Sequence, residues 1–489
     1  MKYTFKSLYI LLFLLPIIHN TVNAQNNEKP QPNFVIIYCD NLGYGDIEPF
    51  GSTANRTPNL NRMEAEGRKF EQFYVTAGVC TPSRASIMTG CYAQRVGMHF
   101  NERDGHVLRP ISPYGLNPDE TTIAEVLKSA GYRTGIIGKW HLGDQTPFLP
   151  LAQGFDYFYG IPYSDDMTQA VGATFGKKLD GNLWPPLPVM LNNKVLKAGI
   201  DRNKLTQEYT KKALDFISEA KDRPFFLYLP HAMPGSTTKP FASAKFRGRS
   251  KSGPWGDSVE ELDWSTGQIM KKLEELGLTN KTLVLFTSDN GSPMGKDMNA
   301  LVRGTNKPLH GRGYTTSEGG FRVPTIMWWP NTIPRGTICR ELTTTMDLLP
   351  TFAEMAGVKK DLIIPIDGYD ISSLIYGKTI GHSPYEVFYY YDQNQLQAVR
   401  RGPWKLFVPL SKFQNHPHFT VGNSQKPLLF NLKEDIQSLH NLADANPDVV
   451  KELMDWAEKG RKDLGDWNRK GEGQRPPGKV AKPVPVTLN

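Results

Sequence analysis

Phe34-Val35-Ile36-Ile37-Tyr38-Cys39 runs without a polar break into Asp40-Asn41-Leu42-Gly43-Tyr44-Gly45-Asp46. A continuous β-prone apolar run of this length reads as a strand buried on both faces, and the polar, Gly-rich stretch after it as the loop at its carboxyl end. The same texture returns at Gly135-Ile136-Ile137-Gly138, at 225–229 and at 283–287, each run leading into polar or ionisable residues. Between these runs, 122–130, 205–219 and 258–276 carry apolar residues at helical spacing. Alternating strands and helices specify an α/β fold, with a large, mixed and mostly parallel sheet flanked by helices. Ligands of such sheets gather beyond the carboxyl ends of the strands. The polar clusters after Cys39, Gly138, Leu229 and Thr287 are therefore expected to meet in one crevice.

The texture changes after about residue 380, where 385–391, 397–408 and 428–432 read as three strands and 448–459 as a closing helix with Gly460 as its stop. This is the pattern of a small C-terminal α+β subdomain. The expected division is 25–380 for the large domain, 381–470 for the subdomain and 471–489 for a basic, Pro-rich tail that runs as an extended strap or stays disordered. Ahead of these, Lys2 and Lys6, the apolar run 8–18 and Val22-Asn23-Ala24 make 1–24 a secretory signal peptide, too short in its apolar part to span a bilayer. A periplasmic or secreted protein without stable membrane insertion follows.

Hydrophobic residues at 39% and charged residues at 22% of 489 positions exclude a coiled coil and wholesale disorder. The formal charge of +8 suits an anionic substrate or simple solubility, and no zinc-finger, homeodomain or RNP-type pattern points to nucleic acid. Four cysteines, Cys39, Cys80, Cys91 and Cys339, are too few for a disulfide framework in a chain this long.

Cys80-Thr81-Pro82-Ser83-Arg84, followed by Ala85-Ser86-Ile87-Met88-Thr89-Gly90, is the densest signal in this cysteine-poor chain. C-x-P-S-R arises by chance on the order of once in a thousand such chains. Pro82 in a first helical turn starts a helix whose N-terminal N–H groups favour anionic charge beside Cys80. The plainer reading is a buried free thiol at a helix start. The stretch resembles the signature of the type I sulfatases, in which this cysteine is oxidised to formylglycine by a maturation enzyme. The resemblance implies an alkaline phosphatase-like fold and a sulfuric ester hydrolase acting on a sulfated carbohydrate or an aryl sulfate.

The resemblance extends over most of the chain. Asp40-Asn41 and Asp289-Asn290 look like the family's two metal loops, which implies one Ca²⁺ held by Asp40, Asn41, Asp289 and Asn290 together with the matured Cys80; the family usually has Asp where Asn41 stands. An oxygen-only set suits such a hard cation. Gly138-Lys139-Trp140-His141 matches the element whose Lys and His contact sulfate, and His231 matches a histidine facing the leaving-group oxygen. Gly235 stands where many relatives carry a second histidine. Glu318-Gly319-Gly320 resembles the block after the second sulfate-binding lysine, but Gly313 falls at that position; one inserted residue brings Arg312 there, with Lys307 as competitor. Ala398 to Leu406 and Leu429 to Asp435 resemble the C-terminal subdomain of the arylsulfatase A and galactosamine-6-sulfatase-like subgroup, in which Asp165 and Asp166 would line the substrate pocket. The implied roles are nucleophile for Cys80, oxyanion binding for Arg84, Lys139 and Arg312, leaving-group protonation for His231 and assistance to diol collapse for His141. Two other readings stand beside this one: a phosphate or phosphonate ester hydrolase of the same superfamily, and a catalytically impaired carbohydrate-binding relative.

Overall fold

Ile36 has Leu285 on one side and Tyr228 on the other as strand partners, both in parallel register and all three buried, which is the environment an unbroken apolar run demands. The computed structural model describes residues 1, 2, 4, 31–174, 184–237, 239–294, 301–358, 364–378, 381–413, 415–419 and 424–488. The apolar run 8–18 and the cleavage site expected at 22–24 lie outside them. Among the described residues, no helix is long and apolar enough to cross a membrane.

Among the described residues, the main sheet has ten strands. In chain order they are β1 (Asn33–Asp40), β2 (Arg68–Phe70), β3 (Arg133–Lys139), β4 (Tyr157–Ile161) and β5 (Pro188–Leu191). Then come β6 (Lys194–Ala198), β7 (Phe225–Pro234), β8 (Thr282–Ser288), β9 (Thr325–Trp328) and β10 (Thr337–Cys339). In space they run β10-β2-β9-β8-β1-β7-β3-β4-β5-β6. The central strands β8, β1, β7, β3 and β4 are parallel, and the sheet turns antiparallel at β9 and at β5.

Helices cover both faces. They are α1 (Pro58–Glu66), α2 (Cys80–Thr89), α3 (Ile123–Ser129), α4 (Leu205–Ala220), α5 (Gly253–Glu275) and α6 (Leu348–Met355). Alternation along β1 sends Phe34, Ile36 and Tyr38 into one apolar cluster with α2, α3 and α6, and Val35, Ile37 and Cys39 into another with α1, α4 and α5. Burying each such side chain contributes about 1.5–3 kcal/mol. Because the central strands are parallel, Asp40, Lys139, Pro234 and Ser288 all end on the same edge.

A separate antiparallel sheet follows, β11 (Phe388–Asp392), β12 (Gln395–Arg401), β13 (Trp404–Phe407) and β14 (Leu428–Asn431), paired in that order. The run 397–408, expected as one strand, is a hairpin, because Gly402 at φ 54° lets the chain reverse between β12 and β13. The closing helix α7 (Pro447–Leu464) continues through Gly460 and stops at Gly465, whose φ is 88°. The tail 471–488 is a strap: Gly478–Lys479 pairs with Tyr114–Gly115, and Arg475 binds Glu120 through two nitrogens at 2.7 Å each.

Candidate active site

Four charges meet at the carboxyl edge of the sheet, all fully buried. Asp40 Oδ2, at the end of β1, accepts from Arg84 Nη2 at 3.0 Å and from Lys139 Nζ at 2.5 Å. Arg84, one turn into α2, also donates to Asp289 Oδ2 at 2.8 Å, and Lys139 donates to Ser164 Oγ at 3.0 Å. Arg84, Lys139, Asp40 and Asp289 have no exposed side-chain surface, and two cations against two carboxylates keep so deep a cluster tolerable. Burial, reinforced by Asp40, still pushes the Asp289 carboxyl up to about 6.

Cys80 opens α2, and its Sγ lies 3.7 Å from Asp40 Oδ2. Burial, with Asp40 next, pushes its thiol well above the ordinary range. The Sγ and one oxygen each of Asp40 and Asp289 fall within 4.8 Å of one another. Asn290 Oδ1 is buried with no hydrogen-bond partner, while its Nδ2 donates to Asn41 Oδ1 at 2.5 Å. An orphaned amide oxygen beside two carboxylates is what a set of cation ligands looks like without the cation, so Asp40, Asn41, Asp289 and Asn290 fit a hard divalent ion.

Above this floor lies a cleft of about 190 Å³ whose walls include Val79, Cys80, His106, Arg109, His141, Ser164, Asp166, Trp184, Ser236 and Tyr314. His141 follows β3 in the left-handed region at φ 66°, with Nε2 2.8 Å from the Leu108 carbonyl. A carbonyl only accepts, so Nε2 carries the hydrogen, and the buried, unpartnered Nδ1 is left as an acceptor. Burial, then Lys139 and Arg84, hold this imidazole well below its usual pKa. Asp166 reaches the cleft, whereas Asp165 is buried behind it with Oδ2 3.3 Å from Arg202 Nη1 and its carboxyl raised to about 7 by burial and by Asp166.

Cys80, Arg84, Lys139, His141, Asp40, Asn41, Asp289 and Asn290 are thus brought together, with Asp166 on the wall. His231 and Arg312 are not. His231 shares the face of β7 with Leu227 and Leu229; its Nε2 is 3.3 Å from Ser265 Oγ on α5 and its ring 6.3 Å from that of Tyr209 on α4. Burial there lowers its pKa to about 3, which disfavours the imidazolium form, and its Nδ1 is buried without a hydrogen-bond partner. Arg312 is absent from the cleft wall; its carbonyl accepts from Thr315 Oγ1 and Ser317 Oγ, and the residue of that loop which reaches the cleft is Tyr314. Lys307 does not line it either. Sequence reasoning missed Tyr314 and Ser236, although the one-residue excess before Thr315-Thr316 marked the place.

A mostly parallel sheet with helices on both faces, delivering a cysteine at a helix start, two carboxylates and two buried cations to one cleft, defines a hydrolase of anionic esters. The chain belongs to the sulfatase family and is a sulfuric ester hydrolase: the Sulfatase family model matches residues 32–358, and the model of the C-terminal region of aryl-sulfatase matches 383–476. Arylsulfatase A of Homo sapiens is 37% identical over 451 residues, covering 86% of each chain. N-acetylgalactosamine-6-sulfatase of Mus musculus is 37% identical over 389 residues, covering 77% of this chain and 72% of the relative. Among solved structures, Ps i-CgsB in complex with k-i-k-neocarrahexaose is 27% identical with a TM-score of 0.70, covering 89% of this chain and 94% of that one. The phosphonate monoester hydrolase of Agrobacterium radiobacter, 17% identical at a TM-score of 0.56 over 88% of this chain and 94% of that one, shares the fold.

Proposed function

We propose that this protein is an exported sulfatase that hydrolyses sulfate esters of carbohydrates, using Ca²⁺ and a formylglycine made from Cys80. One observation carries the reading: Cys80 stands in the first turn of α2 with Sγ 3.7 Å from Asp40, the carboxylate that Arg84 and Lys139 both hold. Maturation replaces the thiol by an aldehyde in a two-electron oxidation that releases sulfide, with dioxygen as the class of oxidant; the hydrated aldehyde supplies one hydroxyl to attack sulfur and a second to expel sulfate. Bound by Asp40, Asn41, Asp289 and Asn290, with the matured residue 80 completing the set, Ca²⁺ supplies a Lewis acid for the sulfate oxygens. Arg84 and Lys139 fix the carboxylate framework and add positive potential beneath the sulfate. His141 Nδ1, an acceptor with no partner, takes the proton of the second hydroxyl.

The carbohydrate assignment is supported by Trp184 as an apolar wall, by Asp166, Ser164 and Arg109 as polar ones, and by the saccharide named with the Ps i-CgsB structure. The division into 25–380 and 381–470 belongs to the same reading, supported by family models that end at 358 and resume at 383. This reading does not use His231 or Arg312, neither of which lines the cleft.

The test is to co-express the chain with a formylglycine-generating enzyme and read both the Cys80 peptide mass and the turnover. The peptide should lose SH₂ and gain O, and aryl sulfate should be hydrolysed far faster than aryl phosphate. Cys80→Ala should abolish turnover with an unchanged melting temperature. Full activity with an unmodified Cys80 peptide would overturn the mechanism; a preference for aryl phosphate would overturn the substrate class.

A further inference from the structure

Three residues far apart in sequence close a hydrogen-bonded triangle on the cleft wall beside Cys80. Asn41 Nδ2 lies 3.1 Å from Ser236 Oγ and 3.2 Å from Tyr314 Oη, and Tyr314 Oη donates to Ser236 Oγ at 3.0 Å. The orientation of the Asn41 amide is fixed by its other end, since Oδ1 accepts from Asn290 Nδ2. The backbones are fixed too: Tyr314 N–H donates to the Gly78 carbonyl at 2.9 Å, Gly235 N–H to the Asp40 carbonyl at 3.1 Å, and Arg303 Nη2 to the Ser236 carbonyl at 2.6 Å. Asn41 and Tyr314 are both left-handed, at φ 60° and 66°, a conformation that a bulky tyrosine rarely adopts unless its surroundings impose it.

Counting hydrogens gives the triangle a direction. The two hydroxyl oxygens lie 3.0 Å apart and so share one amide hydrogen of Asn41, and Tyr314 uses its own hydrogen on Ser236. The Ser236 oxygen then accepts twice, and its hydrogen has no acceptor among the described residues. Both hydroxyl-bearing residues line the cleft, so the spare donor belongs to whatever the cleft binds. The triangle is neutral, and it stands on the wall of the cleft while Arg84 and Lys139 lie in the floor.

We propose that Ser236 and Tyr314, oriented by Asn41, form a neutral hydrogen-bond donor site for the bridging oxygen of the sulfate ester. That oxygen gathers negative charge as its bond to sulfur breaks, so a preoriented donor stabilises the transition state more than the ground state. Either hydroxyl presents the hydrogen, because the Tyr314 to Ser236 bond can reverse without moving a heavy atom. The inference rests on the sulfatase reading above and gives the leaving-group side of the cleft to Ser236 and Tyr314 in place of His231 or Arg312.

The test uses matured wild type, Tyr314→Phe, Ser236→Ala and the double variant on aryl sulfates whose leaving phenols span a range of pKa. Charge on the bridging oxygen is greatest for poor leaving groups, so the double variant should lose roughly 10²-fold in kcat/KM on the most basic phenols and only a few-fold on nitrophenols. Each single variant should lose much less than the double one, because the hydroxyl that remains still has a hydrogen to present; single losses as large as the double loss would overturn the sharing of one donor site. Calorimetric titration with Ca²⁺ should be unchanged in both single variants, since neither hydroxyl is a ligand in this reading. A loss of equal size across all leaving groups, a matching loss of Ca²⁺ affinity, or the leaving-group profile appearing in Arg312→Ala or His106→Gln instead would overturn the inference. Wild type that hydrolyses no aryl sulfate despite a matured Cys80 would overturn the sulfatase reading, and this inference with it.

Discussion

Asn41 contributes its two ends to two different tasks. Its Oδ1 faces the ion ligands and its Nδ2 orients Ser236 and Tyr314. Asn41→Asp adds a full negative charge to the ligand set and should tighten Ca²⁺ about tenfold, a gain of about 1.4 kcal/mol, as read by competition with a chelator. The same change removes the amide donor, so both hydroxyls turn their hydrogens onto the new carboxylate and turnover should fall. Unchanged Ca²⁺ affinity would remove residue 41 from the ligands. Chemistry at this scale was legible where it was local: Asp40, Asn41, Lys139 and His141 follow strands whose ends the sequence marks. His231 also follows an apolar run, but residues two apart on a strand share a face, and it continues the series Leu227, Leu229 into the layer against α4 and α5.

At the scale of elements, periodicity located the central strands and the helices 122–130, 205–219 and 258–276 to within a few residues of α3, α4 and α5. It failed where a glycine's meaning depends on its neighbours. Gly402, inside the run that reads as one strand, makes the β12–β13 turn, whereas Gly460, which reads as a stop, lies inside α7. A Cβ on Gly460 would fall 2.6 Å from Cε1 of the Tyr389 ring, so the glycine is there for close packing of helix on sheet. Helix propensity alone gives Gly→Ala about 1 kcal/mol of stabilisation. Gly460→Ala should instead lower the unfolding midpoint in urea, because the ring and the helix have to separate. A raised midpoint would show that the sheet yields without loss.

Over the whole molecule, Glu318 fastens the four-stranded sheet to the segment that carries Tyr74. Its carboxylate accepts from Tyr74 Oη at 2.5 Å, in the short strand pair of 73–74 with 343–344, and from Tyr390 Oη and Lys405 Nζ, each at 2.9 Å, on β11 and β13. Burial pushes this carboxyl up, but Lys405 and Arg400 outweigh it and hold it at about 2. A carboxyl with a depressed folded pKa adds stability that is complete above its ordinary value of 4.5 and is lost as pH falls through about 2. Glu318→Gln leaves Lys405 buried without its counter-charge and should cost about 3–5 kcal/mol at neutral pH in denaturant titration. The gap between wild type and variant should narrow between pH 4.5 and 2, and a gap that stays constant there would assign the loss to packing instead. Glu318 lies four residues beyond Tyr314, so the same fastening holds the loop that forms one wall of the cleft. The sequence by itself determined the order of strands and helices, the oxygen-rich strand ends and the cysteine at a helix start, because periodicity and motif chemistry are properties of neighbours along the chain. Only the tertiary structure decided that residues 41, 236 and 314 share one hydrogen-bond network and that His231 and Arg312 stand outside it, because strand register, the face of each strand and loop closure are set by packing between segments distant in sequence.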